Sequence, residues 1–178
     1  EDKPILVVVS AMGKITNALE EVLLDLMQGR ETKTKIGQIE AFHLDIAREL
    51  FSPSHIMFEE LELLFKSLYN LKVDEDKGGY DFYYDQLVSY GELISSLILS
   101  SYLEQVGFVN TWLDSRLYIR TDSTFREGEV NWKLTKERIE SLDKYQNYVT
   151  QGFIGGDENQ CSVTLGREGS DYSAAIFA

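Results

Sequence analysis

The chain has 178 residues, 43% of them hydrophobic, which is about one domain's length and enough apolar material for a buried core. Thirty acidic residues against seventeen basic ones leave a net charge of −13, which repels a phosphate backbone and argues against nucleic acid as a partner. A single cysteine, Cys161, excludes an internal disulfide, and no apolar run reaches the roughly 18 residues of a membrane span, so no membrane and a reducing, cytoplasmic setting are expected.

The chain begins at Glu1 rather than Met and carries no signal-peptide pattern, and both ends read as cut ends. The β-branched apolar run from Ile5 to Ser10, after Pro4, predicts a buried strand. A helix follows. Ile15, Leu19, Val22 and Leu26 share one face, Asn17 and Glu20 have the spacing of a capping box, and Gly29 can end the element. Ile39, Phe42, Ile46 and Leu50 form a second helical stripe, and after the break at Ser52 and Pro53, Met57, Leu61, Leu64, Leu68 and Leu71 form a third.

The polar segment "DEDKGGYD" predicts a loop, and from about Phe82 to Gln105 a long helix follows whose middle, "LISSLILSSYL", is apolar or small on nearly every side. It is expected to be the central helix. Beyond Gly107 the period shortens, and "FVNTWLD", "LYIRTD", "EVNWKL", "NYVTQGFIG" and "CSVTLG" read as strands, with "TKERIESL" as a helical piece between them. At the end, Ser170 and Asp171 resemble a helix start only about two and a half turns before Ala178. Strands mixed with helices predict an α/β layered domain, with ligands bound where strand ends meet helix starts.

Three of the strand ends run into glycine-bearing turns: "VVVSAMGKITN", "TQGFIGGDENQ" and "TLGREGSDYSAA". Such turns collect exposed backbone N–H groups, and a helix start beside them adds partial positive charge, so together they predict an anion site. The P-loop pattern and the Rossmann glycine fingerprint are both absent.

The blocks "VVVSAMGKITN", "VSYGELISS", "TQGFIG" and "TLGREGSDYSAA", in that order and with "WLDSR…IRTD" between them, resemble the signature segments of aspartate kinases within the amino-acid kinase family. The resemblance covers nearly the whole chain. It implies an α/β/α layered catalytic domain with a mainly parallel or mixed central sheet, present here as one partial domain over 1–178 with a helical excursion over about 15–105. Two blocks of the family have no counterpart here: an N-terminal strand ending in a Lys-Phe-Gly-Gly-Thr-Ser-like turn, and a C-terminal strand with a Thr-Asp-Val-Asp-Gly-like turn that helps hold the nucleotide. The regulatory domains that usually follow have none either. The chain is therefore expected to be an internal piece of a larger, homo-oligomeric kinase, and inactive alone.

The implied reaction moves the γ-phosphoryl group of ATP, with Mg²⁺, to the side-chain carboxylate of L-aspartate, the first step toward lysine, threonine and methionine. That carboxylate, with a pKa near ~4, is already ionised at neutral pH and needs no general base, so positioning and charge stabilisation carry the rate. Carried over by position, Ser10, Thr16, Glu92, Phe153, Arg167 and Ser170 are implied as the aspartate-contacting set. Arg167 would grip the α-carboxylate with both arms of its fork and Glu92 would pair with the ammonium. Asp171 is implied as the catalytic residue organising the transfer site, Gly166 and Gly169 as phosphate-facing turns, and no protein metal ligand is implied. Glu168 stands where many of these relatives have glycine, so the resemblance does not demand a positive φ there.

Each of these residues also has an ordinary structural use. Thr16, Asn17, Ser170 and Asp171 are good N-cap types, Phe153 suits a core, Arg167 suits a solvated turn, and Glu92 could be a local salt-bridge partner. Gly91, unfavourable in a helix, implies that something packs closely against it. His43 and His55 lack a second ligand at metal spacing and read as structural or surface groups, Cys161 as an ordinary strand residue, and "GDENQ" as a solvated acidic turn. Two other functions fit parts of the pattern: another member of the same fold acting on a different acid or on a nucleoside monophosphate, and a non-catalytic amino-acid-binding or regulatory module.

Overall fold

The computed structural model describes residues 3–74 and 76–178, so Glu1, Asp2 and, within the expected polar loop, Glu75 lie outside the described residues. Strand β1 (Leu6–Val9) leads into four helices: α1 (Ile15–Met27), α2 (Lys33–Leu50), α3 (Met57–Tyr69) and α4 (Tyr80–Gln105). Then come β2 (Thr111–Leu113), a 3-10 turn at Ser115–Leu117, α5 (Trp132–Glu140), β3 (Tyr148–Gln151), β4 (Ile154–Gly156), β5 (Ser162–Thr164) and α6 (Gly169–Phe177). No described helix is long and apolar enough to cross a membrane.

Strand β3 is the middle of a parallel sheet ordered β1-β3-β2, with Val8 and Leu113 both opposite Thr150. Its four residues are all buried, as expected for a central parallel strand covered on both faces. Strands β4 and β5 form a separate antiparallel pair. The parallel sheet and the helices together make the α/β layered architecture read from the sequence.

The core lies among α1, α2, α3 and α4, where Leu19, Leu23, Met57, Leu61, Phe65, Leu68, Leu87, Ile94 and Ile98 are almost completely buried. Helix α4 packs against α1 and α3 and against β1, β2, β3 and β5, which is why it is apolar or small on several faces. Its buried serines find partners across these contacts: Ser95 Oγ donates to the Ser10 carbonyl at 2.8 Å, and Ser96 Oγ accepts from Trp112 Nε1 at 2.9 Å and Gln151 Nε2 at 2.7 Å. Gly91 lets the loop after β1 approach, since a Cβ there would stand 2.8 Å from that of Ala11. Close packing is what its place in a helix implied.

Several local expectations are corrected. Helix α1 starts two residues before Asn17, after Gly13 at φ +54°, so no capping box forms and Glu20 instead accepts from the Tyr80 hydroxyl at 2.8 Å. Gly29 does end the helix, at φ +66° with its N–H on the Leu26 carbonyl. The buried stripe of α2 is Ile36, Ile39, His43 and Ala47, which leaves Phe42 exposed. Within "EVNWKL" the side chain of Asn131 accepts from the Leu134 N–H at 3.1 Å, so Trp132 begins a helix rather than continuing a strand. "LYIRTD" contributes only the end of the 3-10 turn and two single bridges, Arg120 to Gly156 and Thr121 to Val130.

Candidate active site

Gly152 and Phe153 break the expected strand "NYVTQGFIG" into β3 and β4, and the break makes the site. The Gly152 N–H donates to the Val9 carbonyl at 2.8 Å, tying the end of β3 to the end of β1. A Cβ on Gly152 would lie 2.6 Å from Ser170 Oγ and 2.8 Å from Ser170 Cα, and one on Gly169 would lie 2.5 Å from the Phe153 ring. The first turn of α6 can therefore sit against these strand ends only because both positions are glycine. Ser170, which resembled an N-cap, instead shares a 2.7 Å hydrogen bond with Ser10. The residue before α6 is Glu168, at φ +56° and without a side-chain cap. Positive φ is thus kept although glycine is not.

A cleft of about 440 Å³ opens between the starts of α1 and α6. It brings together Ser10, Thr16, Glu92, Phe153, Ser170 and Asp171, along with Gly166 and Gly169. Arg167, the remaining member of the implied set, is exposed and lines an adjoining cleft of about 610 Å³, which shares Phe153 and Gly166 with the first. Phe153 itself is half-buried at φ +66° between the two.

Glu92 is the electrostatic centre. It is 2% exposed; Oε1 accepts the Ala11 N–H at 3.2 Å, and Oε2 is buried with no partner among the described residues. Burial pushes its pKa up to about 7, against a smaller opposing effect of the Ala11 N–H. Glu168 and Asp171 also line this cleft, and no cationic side chain does. An acidic cleft with an unpaired buried carboxylate suits a ligand ammonium, while the exposed N–H groups at the two helix starts suit an anionic group.

The second cleft contains residues that the sequence did not single out. Arg126, at φ +72°, donates its backbone N–H to Asp85 Oδ2 at 2.8 Å. Asp85 is fully buried on α4 and also accepts from the Thr164 N–H at 2.9 Å and hydroxyl at 2.7 Å. Burial raises its pKa, and these three donors pull the other way. One signal was available: Asp85 and Glu92 are seven residues apart in the long helix, hence close to one face of it. Nothing in the local sequence marked Arg126.

The other candidates are structural. His43 is buried with Nδ1 2.7 Å from the Ile39 carbonyl, and His55 Nδ1 accepts the Met57 N–H at 3.2 Å. Cys161 lies just before β5 rather than in it and is half-buried. Asp157 corrects the reading of "GDENQ" as wholly solvated: it is buried and accepts from Ser123 Oγ and from the N–H groups of Asn159 and Cys161 at 2.8, 3.0 and 2.8 Å. Among the described residues no three His, Cys, Asp or Glu side chains gather in a way that could hold a metal ion.

A parallel sheet whose strand ends meet two helix starts around a buried carboxylate defines an α/β ligand-binding domain. The chain belongs to the amino acid kinase family, whose model matches residues 1–178. It is 33% identical over 177 residues to the lysine-sensitive aspartokinase 3 of Escherichia coli (strain K12), covering 97% of this chain and 39% of that protein. It is 32% identical over 179 residues to the aspartokinase of Chlamydia pneumoniae, covering 100% of this chain and 39% of the relative. Among solved structures, E. coli aspartokinase III in complex with aspartate and ADP matches with a TM-score of 0.81 and 31% identity, over 98% of this chain and 39% of that one. The chain thus spans well under half the length of these relatives.

Proposed function

We propose that the protein containing this chain is an aspartate kinase of the cytoplasm, active as a homo-oligomer, and that residues 1–178 are one part of its catalytic domain. The observation that carries this reading is Glu92: a buried carboxylate with one unpartnered oxygen, lining a cleft between two helix starts. That arrangement fits an amino acid whose ammonium pairs with Glu92 and whose side-chain carboxylate lies toward the helix starts. Aspartate and ADP are what the similar E. coli enzyme holds.

In the reaction, an oxygen of the aspartate side-chain carboxylate attacks the γ-phosphorus of ATP, the bond from that phosphorus to the β,γ-bridging oxygen breaks, and ADP leaves with 4-phospho-L-aspartate formed. Ser10, Thr16 and Ser170 offer hydroxyl donors to the acceptor carboxylate, Phe153 walls the cleft, and Arg167 reaches the α-carboxylate across the boundary that Phe153 and Gly166 share. Asp171 orients the transfer site, and the N–H groups around Gly166 and Gly169 face charge developing on the transferred group. Mg²⁺ would accompany the nucleotide phosphates as their counter-ion, and the described residues supply no cage of their own for it. The test is an ADP-release assay on the full-length protein with L-aspartate and close analogues. Aspartate-dependent ADP release is expected, and its absence would overturn the reading.

A further inference from the structure

The two adjoining clefts differ in the charges they hold. The one around Glu92 is lined by three carboxylates and no cation, whereas the second holds two arginines, Arg126 and Arg167, alongside Asp81 and Glu127. A zwitterionic amino acid lying across their shared boundary would have its ammonium in the first and its carboxylate at the second. We propose that Arg126 is a specificity-determining residue that holds the α-carboxylate of the amino-acid substrate together with Arg167. This rests on the reading of the chain as part of an aspartate kinase.

Three features of Arg126 support the assignment. Its backbone is held in a left-handed conformation, unusual for a side chain of this size, by the hydrogen bond to buried Asp85, so its position is fixed from the core outward. Its guanidinium carbon lies 4.4 Å from the centroid of the Tyr84 ring and 5.8 Å from that of Tyr80, which orients the planar group at the cleft wall. Its ion pair with Asp81 is long, 3.4 Å, and both side chains are substantially exposed, so the pair is weak. The other guanidinium donors have no partner among the described residues. A fork with free donors, stacked on an aromatic wall beside a second arginine, suits a planar carboxylate.

The experiment uses the full-length protein and the variants Arg126→Met, Arg126→Lys and Tyr84→Leu. The first two keep the backbone N–H on Asp85 and the left-handed residue's branching, so the fold's anchor is untouched. Calorimetry gives the Kd of L-aspartate and of its α-amide, and ADP release gives the KM for ATP. Arg126→Met is expected to weaken L-aspartate by about tenfold while leaving the α-amide and the KM for ATP within about twofold, so that preference for the acid falls by about the same factor. Arg126→Lys should recover part of that preference, and Tyr84→Leu should lose a smaller part of it. Equal weakening of acid and amide, no change in either, or an effect confined to ATP would each overturn the assignment, the last by making the cleft a phosphate site. A wild-type protein without aspartate-dependent ADP release overturns the kinase reading itself; a wild-type protein that turns over beside an Arg126→Met variant of unchanged selectivity overturns this assignment alone.

Discussion

The helical half of the molecule and the half built from strand ends solve opposite problems. Among the described residues, the helices α1 to α3 contain no side-chain-bearing residue at positive φ, and their interior is filled by Leu19, Met57, Leu61, Phe65 and Leu68. The four described residues other than glycine at positive φ, Arg126, Phe153, Gln160 and Glu168, lie in the second half, and three of them line the two clefts. Strain, the close contacts of Gly152 and Gly169, and the buried carboxylates Asp85 and Glu92 lie where the ligand is expected, whereas buried Asp25 in the helical half is paired with Arg30 and Lys35. Helix α4 belongs to both halves, offering Leu87, Ile94 and Ile98 to the core and Asp85 and Glu92 to the clefts.

If that division is real, damage to the two halves should read out differently. Phe65→Ala in the full-length protein should lower unfolding free energy by about 3–5 kcal/mol, measured by chemical denaturation, because it empties a filled site. The molecules still folded should keep their KM for aspartate, and a several-fold change would show that the helical layer reaches into the site. Gly152→Ala should do the reverse. Its new methyl would press on Ser170 Cα, which no rotamer change relieves, so α6 must shift. A displacement of about 1 Å at a reacting site can lower kcat/KM by ~10²-fold, and steady-state kinetics beside a melting curve would separate this from simple unfolding.

Glu92→Gln sharpens the comparison, because a residue kept for binding should oppose stability. The carboxyl titrates at about 7 when folded against an ordinary value of 4.5, so between these values the folded state binds more protons than the unfolded one and stability falls as pH rises. Above about 7 the penalty is constant. Glutamine never ionises and can still accept the Ala11 N–H. The variant should therefore match the wild type near pH 4 and exceed it at pH 8 by up to ~3 kcal/mol, at about 1.4 kcal/mol per pKa unit, while binding aspartate more weakly. Equal stability of the two proteins at pH 8 would mean that Glu92 already has a counter-charge.

The difference between the halves also explains what could be read from the sequence. Helices α1, α3 and α4 were legible because an apolar stripe reports burial directly; α2 was read one step off its true face because His43, a polar residue, takes a core position. The blocks around Ser10, Glu92, Phe153 and Ser170 marked one cleft. What escaped depends on contacts far apart in the chain. Arg126 is positioned by Asp85, 41 residues away, and no local pattern encodes that bond. The placing of the arginines apart from Glu92 escaped as well, since Arg167 is adjacent to Glu168 in sequence yet lines the other cleft. The start of α5 was missed because Trp132 and Val130 favour strands, and a single capping bond from Asn131 outweighs them.

The smallest expected effect falls at Glu168, where the two halves' logic can be weighed within one residue. At φ +56° a side chain is strained by about 1–2 kcal/mol, and glycine there would relieve it. Glycine also makes the unfolded chain more flexible, which offsets about 0.5–1 kcal/mol of the gain. Glu168→Gly should therefore stabilise the protein by about 0–1.5 kcal/mol, visible as a small rise in denaturation midpoint with an unchanged slope. A fall in the midpoint would mean that the glutamate side chain makes a stabilising interaction that outweighs its backbone strain. The strained backbone at the start of α6 would then be held in place partly by Glu168 itself, and not only by the glycine contacts of the strand ends.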